Sequence, residues 1–282
     1  MNNMSFEFTF HSWRRNFGNF SLLKYRDFQG FLITGENSGT HWLKYMLSRA
    51  IADKFDLPPP AYTNNPDSND FIGHPKHPRK YSHTPRIASS HNIPSQLLNI
   101  SLLHKMINFP NYVILVRDMR AALVSNYEKH KNRYGISFSD FLVGNITGDL
   151  HRADIWWHLR FCNGWGKIMR QIPKKCLLVH YEDLLVDPLS ELQRINDIWL
   201  LDLNNNNLVF GIENSSKKNM AAKVKTKQGS EHEPFIRFDS RDPLQWYSDT
   251  DRKVFNGIVS KNLTYNPGYD FTDWDKIKIT TN

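Results

Sequence analysis

Residues 112–116, Tyr-Val-Ile-Leu-Val, form an unbroken apolar run that stops at Arg117. A strand that is apolar at every position needs cover on both faces. Sheets that meet this need are mostly parallel, because crossover helices pack on either side. Shorter apolar runs stand at 29–34, 86–90 and 176–179. Between them the pattern changes to helical spacing, as in Leu43, Met46, Leu47, Ala50 and Ile51. The same reasoning predicts helices over 94–107, 121–130, 153–172, 188–201 and 251–263, a turn at 204–207, and irregular chain over 223–250. Strands alternating with helices give βαβ crossovers. The expected fold is α/β, a central, mostly parallel β-sheet flanked by helices.

The chain has 282 residues, of which 40% are hydrophobic and 13% aromatic. That is enough for one full-sized core, and residues 1–282 read as a single domain. Residues 1–28 are an aromatic, basic arm. Residues 53–85, rich in Pro, Asn and His, are too long for an ordinary connector and read as a loop that lids an acceptor. No stretch approaches ~18 consecutive apolar residues, so no membrane span is expected. The first ten residues lack a basic stretch followed by an apolar one, which points to a cytoplasmic chain. Lys and Arg number 36 against 28 Asp and Glu, a net charge of +8. This fits a basic enzyme surface or an anionic ligand. No run of five basic residues occurs, and no nucleic-acid partner is expected. The two cysteines, Cys162 and Cys176, cannot build a disulfide framework or a cysteine zinc site.

The polar surprises fall at strand ends, where open α/β sheets bind their ligands. Gly35-Glu-Asn-Ser-Gly-Thr40 follows a strand and opens a helix. A helix N-terminus has unpaired N–H groups and the positive end of its dipole, and both favour an anion. The loop is not a Walker A loop, which needs four residues between its glycines and then a lysine. Here three intervene and His41 follows Thr40. Arg117 stands at the next strand end, with Ser125 two turns into the helix that follows. A guanidinium fork plus a hydroxyl suits a terminal phosphate.

Together these segments resemble the sulfotransferases that use 3′-phosphoadenosine 5′-phosphosulfate (PAPS). Glu36-Asn-Ser-Gly-Thr-His-Trp42 is similar to that family's P-K-S-G-T-T-W. Arg117-Asp-Met-Arg-Ala-Ala-Leu-Val-Ser125 is similar to its R-N-P-K-D-x-x-x-S, with the same spacing from Arg to Ser. Tyr181-Glu-Asp-Leu, then Asp187-Pro188, resembles its Y-E-D-L and D-P. Ser90-His-Asn-Ile-Pro94 resembles its T-H-L-P. The resemblance runs in order over about 30–200 and implies the family's P-loop-like fold.

It also implies residue roles. His91 is expected as general base. Asn37, Ser38, Gly39, Thr40 and His41 would hold the 5′-phosphosulfate, and Trp42 would stack on adenine. Arg117 and Ser125 would bind the 3′-phosphate. Tyr181, Ser215 and Ser216 would line the nucleotide pocket. Arg237 falls where the family has a further basic segment. The implied reaction moves a sulfuryl group from PAPS to a small-molecule or carbohydrate acceptor, without a metal. Alternatives are a non-catalytic protein that binds PAPS or 3′,5′-diphosphoadenosine (PAP), and a nucleotide kinase with an altered phosphate loop.

This chain departs from the family pattern in four places. The loop lysine is Asn37, for which His41 and Arg120 are candidate replacements. Ser89 stands where a basic residue is usual, the glycines near Arg237, Arg241 and Trp246 are missing, and the 53–85 loop matches nothing. His74, His77 and His83 in a Pro-rich loop do not make a metal site. The stripe of Trp156, Trp157, Phe161 and Trp165 reads as core.

Overall fold

The computed structural model describes residues 6–19, 28–58, 60, 70–76, 80–95, 100–147, 150–216, 219 and 242–280. Five strands form one sheet: β1 (Gly30–Thr34), β2 (Ile72–Gly73), β3 (Ile87–Ser90), β4 (Asn111–Val116) and β5 (Cys176–His180). Their order is β2-β3-β1-β4-β5, and every pairing is parallel. This is the doubly covered α/β sheet expected from the all-apolar strands.

Side chains alternate across a strand, so each central strand feeds two cores. Phe31, Ile33, Tyr112 and Ile114 point to one side. Leu32, Val113 and Leu115 point to the other. The second side is covered by α2 (Thr40–Lys54), through Leu43, Met46, Leu47 and Ile51. It is covered further by α8 (Pro188–Trp199) and α9 (Asn205–Glu213), through Leu192, Ile195, Trp199 and Leu208. Trp199 lies against the start of β1, where a Cβ on Gly30 would come within 2.7 Å of its indole nitrogen. Only glycine fits there.

The first side is covered by α4 (Met119–Tyr134), α5 (Phe138–Val143), α6 (Ile155–Gln171) and α10 (Asp249–Asn262). Asp154 caps α6 by accepting from the Trp157 amide at 2.9 Å. Phe161 and Trp165 are buried in this core as the aromatic stripe predicts, whereas Trp156 and Trp157 are half-buried against it, and Trp157 lines a cavity. The arm at 1–28 contains a helix, α1 (Phe6–Asn16), whose Phe8 joins the same core.

Three local expectations are corrected. Of the helix expected over 94–107, only α3 (Ser101–Met106) forms among the described residues. The expected turn at 204–207 is the start of α9: Asn204 and Asn207 bond each other's backbone in a capping box. The 53–85 segment contributes β2, which adds a strand to the sheet edge. Completing the helices, α7 spans Tyr181–Val186. No helix among the described residues is long and apolar enough to cross a membrane.

Candidate active site

Parallel register brings four strand ends to one edge. Ile33 pairs with Ser90, Thr34 with Leu115, and Val116 with His180. The residues that follow, Gly35, His91, Arg117 and Tyr181, therefore line one rim of the sheet. Residues 26 to 146 positions apart in sequence meet there because the strands are parallel and aligned.

The loop between β1 and α2 is fastened from within. The Gly35 amide donates to Leu115 O at 2.8 Å, and the buried Ser38 hydroxyl donates to Gly35 O. Thr40 donates to the Thr34 hydroxyl at 2.9 Å. Both hydroxyl protons are thus spent inside the fold. What the loop presents is backbone, since α2 begins at Gly39 with no side-chain cap. Its first amides have no intrahelical partner. Gly39 has φ 90°, and a Cβ there would lie 2.5 Å from the Tyr181 ring. Asn37 also sits in the left-handed region, at φ 59°. That conformation suits asparagine better than most side chains.

Arg117 closes the loop from the β4 side. It donates to Asn37 O at 3.1 Å and lies 4.7 Å from the centre of the Tyr181 ring. Its Nε has no hydrogen-bond partner among the described residues, so a donor remains for a ligand. Trp42 meets Tyr181 edge-on at 6.1 Å and donates to Ser215 O at 2.9 Å. Ser215 is buried with its hydroxyl on Gly211 O, and Ser216 is exposed. Ser125 is half-buried on α4, two turns beyond Arg117. Arg237 and Arg241 lie outside the described residues, as does His77.

His91 is held by β1. Its Nδ1 lies 2.9 Å from both Thr34 O and the Thr34 hydroxyl. A carbonyl only accepts, so this geometry assigns the hydrogen to Nδ1 and leaves the Nε2 lone pair free. Nε2 is 3.8 Å from Glu36, whose other oxygen accepts from Arg152 at 2.8 Å. Both residues border a cavity of about 510 Å³, shared with Thr40, His41, Lys44 and Arg152.

The electrostatics follow from burial and these contacts. Burial alone would raise the Glu36 carboxyl, but His91, Arg152 and His158 outweigh it and hold the group below 4.5. Burial pushes Lys44 down to about 8. It pushes His158 down to about 4, with Glu36 pulling the other way. Among the described residues no group of three His, Cys, Asp or Glu side chains is placed to hold a metal ion.

A family model described as the sulfotransferase domain matches residues 27–250. The chain belongs to the sulfotransferase-domain family. A flavonol sulfotransferase-like protein of Flaveria bidentis is 25% identical over 181 residues, which are 58% of this chain and 55% of that relative's length. Mouse sulfotransferase SULT7A1, solved with PAP, superposes with a TM-score of 0.53 at 16% identity, over 89% of this chain and 90% of the other. Retinol dehydratase, solved with androsterone and inactive cofactor PAP, gives a TM-score of 0.57 at 15% identity, over 90% and 85%. At these identities the two structures establish the fold.

Arg120, a candidate replacement for the missing loop lysine, is elsewhere in this sulfotransferase domain. It is fully buried, paired with Asp118 at 2.7 Å, and donates to the Asp270 and Asp273 carbonyls. Its charge pins the C-terminal segment and does not reach the loop. His41 does border the cavity. Sequence reasoning missed Glu36, Lys44 and Arg152. For Glu36 a signal existed: a carboxylate inside a loop expected to bind an anion is tolerable only if its side chain turns away, and here it turns to His91 and Arg152.

Proposed function

We propose that the chain transfers a sulfuryl group from PAPS to the hydroxyl or amine of a small-molecule or carbohydrate acceptor, with His91 as general base. The observation that carries this reading is the His91 ring. Thr34 occupies Nδ1, and the basic Nε2 borders the same cavity as the helix start that would hold the donor. In the reaction the acceptor oxygen bonds to sulfur and its proton passes to His91 Nε2. The bond from sulfur to the phosphate oxygen breaks, and PAP leaves with that electron pair. The amides at the start of α2 and the dipole of that helix stabilise the departing phosphate.

Arg117 is the proposed clamp for the second phosphate, with Ser125 of α4 as its proposed partner, and Trp42 and Tyr181 supply flat faces for the adenine. Asn37 offers this chemistry a left-handed loop residue but no positive charge. His41 is the cation candidate that the cavity retains.

The test has two arms. PAP is expected to raise the melting temperature, and ATP with Mg²⁺ is not, because a ligand bound only by the folded state stabilises it. Arg117→Ala is expected to weaken PAP binding by roughly 1.5–3 kcal/mol, the usual range for a lost charged hydrogen bond. Labelled sulfate should then pass from PAPS to a panel of phenols, alcohols and sugars in the wild type and not in His91→Ala. Binding of PAP with no transfer to any acceptor would favour a non-catalytic binding protein. Equal turnover by His91→Ala would remove the base assignment.

A further inference from the structure

We propose that the outer face of α1 docks on an anionic lipid bilayer, with Phe6, Phe10, Trp13 and Phe17 entering the interface and Arg14 pairing with lipid headgroups.

At 3.6 residues per turn, Phe6, Phe10 and Trp13 fall within about 60° of one another around α1, and Phe17 continues their line just past the helix end. Phe8, Ser12 and Asn16 lie on another side of the helix and are buried. There Phe8 meets the Trp156 ring at 5.5 Å. The side of α1 that faces the core is therefore already occupied, and the aromatic line is a second apolar face. Phe6 is 86% exposed, Phe10 48%, Trp13 49% and Phe17 42%. Phe6 stacks on Phe10 at 6.5 Å, and Trp13 lies 4.9 Å from Phe17. Among the described residues, the other ring that touches the line is His11 of the same helix, 5.8 Å from Phe10. Single exposed apolar side chains are ordinary on a protein surface, whereas a row of four makes a contiguous patch, and such patches mark docking faces.

Charge selects the occupant. Arg14 flanks the line, is exposed, and pairs with no carboxylate among the described residues. Arg15 follows it, Glu7 is the one acidic residue of the helix, and the chain as a whole carries +8. A net charge of this size draws the chain to a negative surface and repels a second copy of it. Aromatic rings along one side of a helix with arginines beside them suit a membrane interface. The rings sink to the headgroup boundary, and the cations meet anionic lipid. Arg15 lies on the side of α1 away from Phe6 and lines the cavity that His91 borders. Docking through the aromatic line thus holds that cavity about one helix diameter, roughly 10 Å, from the lipid.

The experiment is flotation of the full chain with vesicles. Vesicles of phosphatidylcholine with about 30% phosphatidylserine are expected to carry the protein, and phosphatidylcholine alone to carry much less. Raising NaCl to about 0.5 M should weaken the binding. The double variant Phe10→Ser with Trp13→Ser should lose about tenfold or more in partitioning, the scale of withdrawing an aromatic side chain from an apolar phase. Both rings are exposed, so the melting temperature of the double variant should stay near that of the wild type. Arg14→Glu gives an independent reading: it should reduce binding to the anionic vesicles and leave the weak binding to phosphatidylcholine as it was. Wild-type protein that floats with neither vesicle overturns the inference, as does equal flotation with both. Undiminished binding by the double variant and by Arg14→Glu overturns it too. A wild-type dimer in light scattering that the double variant dissolves, with no vesicle binding, would assign the face to a second copy of the chain instead.

Discussion

His91 Nε2 stands 3.8 Å from the Glu36 carboxylate, and Arg152 holds that carboxylate from its other side. With His91 as the proposed base, its protonation forms a positive charge beside a fixed negative one. At this separation the attraction favours the proton transfer. Glu36→Gln keeps the shape and removes the charge. Its kcat is expected to fall about 10- to 100-fold, within the range of general-base contributions. PAP affinity should change little, since the carboxylate is engaged by His91 and Arg152. An unchanged kcat in steady-state assays would mean that Glu36 only anchors Arg152.

Gly39 and Tyr181 set the second expectation. Gly39→Ala places a methyl group at φ 90° and within 2.5 Å of the Tyr181 ring. The backbone alone costs about 1–2 kcal/mol in the left-handed region. The ring must also swing, and it lies against Arg117. Urea melts should show lower stability, and PAP should bind more weakly. The double variant with Tyr181→Ala should recover part of the stability and none of the affinity. Wild-type affinity in Gly39→Ala would show that the ring position does not matter to the nucleotide site.

The central strands were legible because 112–116 is apolar at every position, and the helices because their apolar residues recur at one spacing. The start of α9 was not legible. Residues 204–207 are four consecutive asparagines, which read as a turn. Asparagine is equally a helix cap, and only the burial of Leu208 against α2 decides between the two. The site divided in the same way. His91, Arg117 and the loop are candidates because they stand at strand ends, and the structure brings them to one rim. Glu36 did not, because its direction is set by Arg152, 116 residues away. Arg120 is a candidate by sequence alone, and Asp118, two positions earlier, holds it. Local pattern shows where a side chain starts, and tertiary contact decides where it points.

His158 makes the fold sensitive to acid. Its ordinary value is 6.5, and burial lowers it to about 4 in the folded chain. Between those values the unfolded chain binds a proton that the folded chain does not. Stability is therefore complete above 6.5 and falls as the pH drops toward 4, by roughly 3 kcal/mol in all. Glu36 adds to this lower down: its carboxyl is depressed, so its contribution is present above 4.5 and is lost as pH falls below it. Denaturant melts from pH 7 to 4 should show a shallower decline in His158→Gln. Parallel curves for the two proteins would contradict the assignment to His158.

Lys44 predicts the opposite limb. Burial lowers its ammonium from 10.5 to about 8, so between those values the unfolded chain again carries the extra proton. Its contribution makes stability rise from pH 8 to 10.5, by up to roughly 3 kcal/mol. Cys162 and Cys176 act against it. Burial raises both thiols from 9 to about 12, so the stability they contribute is present below 9 and is lost as pH climbs. The readable quantity is thus the difference between wild type and Lys44→Met. The variant should be the more stable protein at pH 7, and its advantage should shrink steadily as the pH passes from 8 to 10. A difference that stays constant from pH 8 to 10 would contradict the assignment of this limb to Lys44.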